Sequence, residues 1–176
     1  MAELIDLYDE QRSFTGKRQE RLDLRGEDEF ALTVHLIVQN KQNEIFITKR
    51  CKTKSWMPDL WEIPGGIVAS GEDSLPAAIR EFQEETGFII DESDLSQKFS
   101  LKRTDMPGWN CFMDFWHYRG EFNLKSFKAQ SGETVAAKWV SLKELIELEK
   151  LGQFVAFSES GLDQALFGLD LWKVFD

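Results

Sequence analysis

Cysteine is nearly absent from this chain: Cys51 and Cys111 are the only two among 176 residues. Neither lies in a C-x-x-C spacing, so neither a disulfide framework nor a zinc cluster can be built from them. A reducing, cytoplasmic setting is expected. Base is also in deficit, with 21 Lys and Arg against 31 Asp and Glu and a net charge of −10. That balance repels a polyanion unless the basic residues are segregated, so long nucleic acid is not an expected partner. No apolar run approaches the roughly 18 residues that would span a bilayer, and Met1 to Asp6 carry acid where a secretory signal would carry base. No membrane anchor is expected. Internal repeats and low-complexity linkers are lacking too.

Apolar residues make up 42% of the chain, and at this length one domain covering 1–176, with an N-terminal strand or hairpin extension over about 1–29, is the expected organisation. Leu4 to Tyr8 reads as a strand, Thr15-Gly16-Lys17 as a turn, and 18–29 as a charged connector. Phe30 to Gln39 and Ile45 to Ile47 read as a β-hairpin of buried strands around Lys41-Gln42-Asn43. Pro58 and Pro64 bar a long helix from 51–64, which reads as a loop ending in a short strand. Further on, Lys98 to Arg103 and Cys111 to Tyr118 read as paired strands around Pro107-Gly108, and Ala137 to Val140 as another. Ser141 caps an expected helix over Leu142 to Leu151, and a last helical segment falls within 161–173. Interleaved strands and helices predict an α/β fold with a mixed sheet covered by helices.

The informative segment is 65–88. Ser74 is placed as a helix cap, Pro76 falls in the first turn where a missing N–H costs little, and Gly87 suits a left-handed stop. Leu75, Ala78, Ile79 and Phe82 recur at i, i+3, i+4 and i+7 and are expected to face the sheet. Glu81, Glu84 and Glu85 then lie close together on neighbouring parts of the helix surface. Carboxylates this close repel one another, and a hard divalent cation ligated by oxygen removes the penalty. Arg80, four residues before Glu84, can hold a carboxylate, and Gly65-Gly66 lets backbone approach an ion. An exposed, solvated Glu-rich face is the plain alternative. Against it stands the full pattern G-x5-E-x7-R-E-U-x-E-E-x-G-U, with U bulky and apolar, filled by Gly66, Glu72, Arg80, Glu81, Phe82, Glu84, Glu85, Gly87 and Phe88. Its seven exact positions would coincide by chance in roughly one window in 10⁸.

This pattern resembles the Nudix box, and the chain as a whole resembles a Nudix hydrolase. The resemblance implies an α/β/α sandwich with a mixed β-sheet, and metal-dependent hydrolysis of a phosphoanhydride in a nucleoside diphosphate linked to another group, with Mg²⁺ or Mn²⁺. It implies that Glu84, Glu85 and the Gly65 carbonyl hold metal, that Glu81 is a ligand or the base, that Arg80 orients a carboxylate, and that Glu72 braces the loop, with Gly66 and Gly87 structural. Glu133, on a loop before a late strand, is a second candidate for the base or a further ligand. The N-terminal strand, the His35 strand and the segment from Lys49-Arg50 to Trp61 are also similar to the subgroup related to isopentenyl diphosphate isomerase. The catalytic cysteine of that isomerase falls in the stretch Trp61 to Gly66, where this chain has glycine. An isomerase-like enzyme and a non-catalytic Nudix ligand-binding module are the alternatives.

Arg50 is a candidate phosphate ligand and Trp61 a candidate substrate contact; Trp56 and Trp109 could stack on a base or form core and rim. His35 and His117 read as core histidines rather than ligands, and both cysteines as structural. The expected partner is a small-molecule diphosphate. A homodimer is compatible with the sequence, which leaves oligomeric state open.

Overall fold

The computed structural model describes residues 3–155; the helical segment expected within 161–173 lies outside them. The described elements, in chain order, are β1 (Leu4–Tyr8), β2 (Phe14–Glu20), β3 (Ala31–Gln39), β4 (Ile45–Arg50), β5 (Trp61–Glu62), β6 (Gly65–Ile67), α1 (Ser74–Thr86), β7 (Leu95–Arg103), β8 (Cys111–Arg119), β9 (Thr134–Val140) and α2 (Leu142–Lys150).

Period-two burial on both faces makes β3 the centre of the molecule. Leu32, Val34, Leu36 and Val38 point to one side, where Ala77, Ala78 and Phe82 of α1 cover them together with Phe46 of β4. Ile37 points to the other side with Ile45 and Ile47 of β4, against Leu142 and Leu145 of α2. The result is an α/β/α sandwich. Each fully buried Leu or Ile contributes about 1.5–3 kcal/mol relative to exposure, so the sheet needs a helix on both faces.

The sheet is mixed. Strand β3 runs parallel to β8 from Ala31↔Cys111 to Gln39↔Arg119, and β7 adds antiparallel to β8. The expected β3–β4 hairpin turns at Asn40 to Glu44, but only Gln39↔Ile45 pairs. The reason is competition for one edge: β6 occupies β3 at Thr33↔Ile67 through His35↔Gly65, and β4 instead recruits β9 and β5. One other expectation shifts. Thr15-Gly16-Lys17 lies inside β2, and the turn comes earlier, where Asp9 Oδ1 accepts from the Gln11 and Ser13 N–H groups at 2.9 and 2.8 Å. Helix α2 starts as expected, with Ser141 and Glu144 forming a reciprocal capping box.

The N-terminal hairpin β1–β2 is held to the sandwich by Tyr8–Phe30 backbone bonds and by Arg12 at its tip, whose two Nη groups donate to the buried Asp114 of β8 at 2.7 and 2.5 Å. Ser74 and Ser100 donate to the same carboxylate. Ser74 is thus the first helical residue rather than the cap, which is Asp73 without a side-chain bond. The hydroxyl is claimed by Asp114 and by Trp116 Nε1, which donates to it at 2.9 Å.

Candidate active site

Helix α1 ends on Gly87, whose φ of 73° is left-handed and whose N–H donates to Gln83 O at 2.8 Å. Its buried stripe is rotated from the expected one: Ala77, Ala78, Phe82, Glu85 and Thr86 are inside, while Leu75 and Ile79 are half-buried. The rotation carries a carboxylate into the interior. Glu84 is exposed, Glu81 is largely covered, and Glu85 is buried, so the three acids descend from solvent into the fold.

Gly66 explains how Glu81 fits. A Cβ at Gly66 would overlap the Glu81 carboxylate, and one at Gly65 would overlap the Val34 carbonyl. Strand β6 therefore passes α1 at a distance only glycine permits. The Gly65 N–H donates to Glu85 Oε2 at 3.3 Å.

Arg80 ties the acids to the loop before α1. Its Nε and Nη2 donate to the two Glu72 oxygens at 2.9 and 2.8 Å, Nη2 also reaches Ile67 O at 3.2 Å, and Nη1 donates to Glu81 at 2.8 Å and Glu84 at 3.4 Å. Glu72 in turn accepts from the Ala69 N–H at 3.2 Å. Burial opposes ionisation of Glu72, but the bonds from Arg80 and Ala69 outweigh it and hold this carboxyl below its usual range. Burial pushes Glu81 up, against the pull of Arg80 and with help from the Glu84 charge.

One acid that sequence reasoning missed belongs to this site. Glu62 of β5 is buried and bonded to Arg50 Nη1 at 2.7 Å. Burial, offset by Arg50 and Lys54 and reinforced by Glu133, raises its pKa to about 7. Burial and then the charges of Glu62 and Glu81 push Glu85 well up. In sequence Glu62 looks like any strand acid; its only signal is its place three residues before Gly65.

The other expected residues fall as follows. Glu133 directly precedes β9, and its carboxylate is ion-paired with Lys54. Thr134 Oγ1 donates to Glu85 O at 2.8 Å and so fixes the start of β9 to the end of α1. Arg50 is mostly enclosed: besides Glu62, its guanidinium donates to Trp56 O at 2.9 Å and Met57 O at 3.0 Å. Trp61 is half-buried, with Lys138 Nζ 4.3 Å from the ring centroid. His35 stacks on Phe115 at 5.0 Å, and burial lowers its pKa to about 3. Cys111 is buried in the core, and Cys51 Sγ contacts Thr53 Oγ1.

The donor set fits a hard divalent cation: oxygen only, like-charged, and in part held from water beside a glycine backbone. Among the described residues no three acids converge on one point as a finished cage, because Arg80 engages Glu81 and Glu84 while Glu85 is bonded to Gly65.

Comparison with known proteins shows the family. Residues 29–158 match the family model described as the NUDIX domain. An uncharacterised Nudix hydrolase of Listeria monocytogenes is 33% identical over 153 residues, which is 86% of this chain and 88% of that protein. The 8-oxo-dGTP diphosphatase of Escherichia coli is 35% identical over 60% of this chain and 76% of its own. The crystal structure of DR0079 from Deinococcus radiodurans superposes with a TM-score of 0.72 at 25% identity, covering 86% of this chain and 91% of that one. This chain belongs to the Nudix hydrolase family.

Proposed function

We propose that this enzyme hydrolyses a phosphoanhydride in a nucleoside diphosphate linked to another group, with Mg²⁺ or Mn²⁺ held by Glu84, Glu85, Glu81 and the Gly65 carbonyl. The observation that carries the reading is the descending row of Glu84, Glu81 and Glu85, with the Glu85 pKa raised by burial and then by the charges of Glu62 and Glu81. A bound divalent ion would neutralise charge on the phosphate oxygens and make a water more acidic.

The protein's own groups do the positioning. Arg80 stops Glu81 and Glu84 from drifting apart and, through Glu72, keeps the turn before α1 closed. Glu81, whose pKa burial raises above the usual carboxylate range, is the first candidate to accept a proton. Glu133 is the second candidate for that role; in this arrangement it is ion-paired to Lys54. The unpaired state of both cysteines suits a reducing cytoplasm, and no described helix is long and apolar enough to cross a membrane. Isomerisation is disfavoured because glycine stands at the position where the isomerase has its cysteine, and a purely binding role because every acid of the box is present.

The test is Glu84→Gln. Its side chain is exposed, so the variant should keep the wild-type melting temperature while metal-dependent turnover of nucleoside diphosphate derivatives falls by several orders of magnitude. Turnover equal to wild type would refute the assignment.

A further inference from the structure

The segment between β4 and β5 is pinned at two places to the acids of the site. Lys54 is ion-paired with Glu133. Two residues on, the Trp56 and Met57 carbonyls accept from Arg50, which is itself bonded to the buried Glu62. Glu133 and Lys54 are among the charges that act on Glu62, so both pins end at the same cluster. Trp56 is part of the second pin.

The backbone spends strain to hold this shape. Met57 and Asp59 both sit in the left-handed region, at φ 47° and 61°, which is uncommon for any non-glycine and more so for a long side chain such as Met. Trp56 is nonetheless 38% exposed and Met57 36% exposed, so the strain is not repaid by burying them. The Arg50 guanidinium lies 5.3 Å from the Trp56 ring centroid. Because Arg50 is locked by Glu62 and two carbonyls, the ring is braced by a fixed partner.

From this placement we propose that Trp56 is the specificity-determining platform of the enzyme: a rigid aromatic surface, braced by Arg50 and flanked by Met57, on which the nucleobase of a diphosphate substrate stacks. The proposal rests on the diphosphate hydrolase reading above and adds the residue that recognises the base, since a planar aromatic group is what such a surface stacks on. Arg50 acts here as a positioning residue for Trp56 and Glu62.

The experiment compares wild type, Trp56→Phe and Trp56→Ala with pairs of probes that differ only in the base: a nucleoside 5′-monophosphate against ribose 5-phosphate for binding, and ADP-ribose against its base-free counterpart, two riboses joined 5′ to 5′ by a diphosphate, for turnover. Circular dichroism and thermal melts of both variants verify that the fold is intact. Loss of one stacked base corresponds to roughly a tenfold weakening. Trp56→Ala is expected to raise the Kd and KM for the base-bearing probes about tenfold, to leave kcat within about threefold, and to leave the base-free probes unchanged, with Trp56→Phe close to wild type. Equal effects on both kinds of probe, no effect on either, or a collapse of kcat would overturn the proposal. A Trp56-dependent preference for the nucleotide in binding supports it even where hydrolysis is not seen, and that result would count against the hydrolase reading alone. Turnover of base-bearing substrates at an unchanged KM in Trp56→Ala would do the reverse.

Discussion

Arg80 and Glu72 stand eight residues apart and meet through two side-by-side bonds of 2.9 and 2.8 Å, the guanidinium fork facing both carboxylate oxygens. Two-point pairs of this kind carry orientation as well as energy. Arg80 is the cation that bonds Glu81 and Glu84 of the helix, and its hydrogen bonds to Glu72, the largest influence upon it, keep it firmly protonated. Glu72→Gln and Arg80→Ala should therefore be strongly non-additive, with a coupling of about 1–2 kcal/mol in a double-mutant cycle of urea unfolding. Turnover in Arg80→Ala should fall about a hundredfold or more. Additive losses would mean that the pair is incidental.

Gly66→Ala tests the close approach of β6 to α1. The new methyl group cannot coexist with the Glu81 carboxylate where it now sits, so Glu81 must swing away. The expected outcome is a folded protein, with its melting temperature lowered by only a few degrees, whose kcat falls about as far as that of Glu81→Gln. Retention of wild-type kcat would show that the place of Glu81 is not critical.

The raised acids make a pH prediction whose sign can be worked out. A carboxyl whose folded pKa lies above its unfolded value of about 4.5 supports the fold below that value and loses its contribution as pH rises through the folded pKa. For Glu62 that window runs to about 7, and Glu85 is shifted in the same direction. In chelator the melting temperature should fall from pH 5.5 to 7.5, whereas Asp114 and Glu72, held below their usual range, lose their contribution only in stronger acid. Glu85→Gln should flatten the slope. Added Mg²⁺ should raise the melting temperature more at pH 7.5 than at 5.5, because protons compete for the same oxygens. A slope unchanged in Glu85→Gln would place its origin elsewhere.

Arg12→Ala removes the only cation bonded to Asp114 among the described residues, a carboxylate with no solvent exposure. Burial opposes ionisation of Asp114, and the bonds from Arg12, Ser100 and Ser74 overcome it. Breaking a buried pair from one side is costly, and since the Arg12 side chain is one-third exposed, about 2–3 kcal/mol is expected rather than the full range for interior pairs. For a chain of this length that lowers the melting temperature by roughly 5–10 °C. Steady-state kinetics at 25 °C should change little, because the contact lies at the start of α1 and the site at its end.

The box was legible because its residues are neighbours in the chain. Helical spacing brings Glu81, Glu84 and Glu85 together, and the glycine that ends the helix is adjacent to them. What could not be read was depth. A rotation of the buried stripe by part of a turn decided that Glu85 goes inside and Ile79 stays at the rim, and that rotation follows from packing against β3 and β4. Glu62 and Arg12 escaped notice for the same reason, since their partners Arg50 and Asp114 lie 12 and 102 residues away.

By itself, then, the sequence determined the family and the helix that carries its box, because periodicity, capping residues and a contiguous motif act over a few residues. Only the tertiary structure decided which acids are shielded from water, that Glu62 joins them, and that Arg50 braces a loop and its Trp56 instead of standing open to solvent. Those outcomes depend on dielectric environment and on distances between segments remote in sequence, which local pattern does not specify.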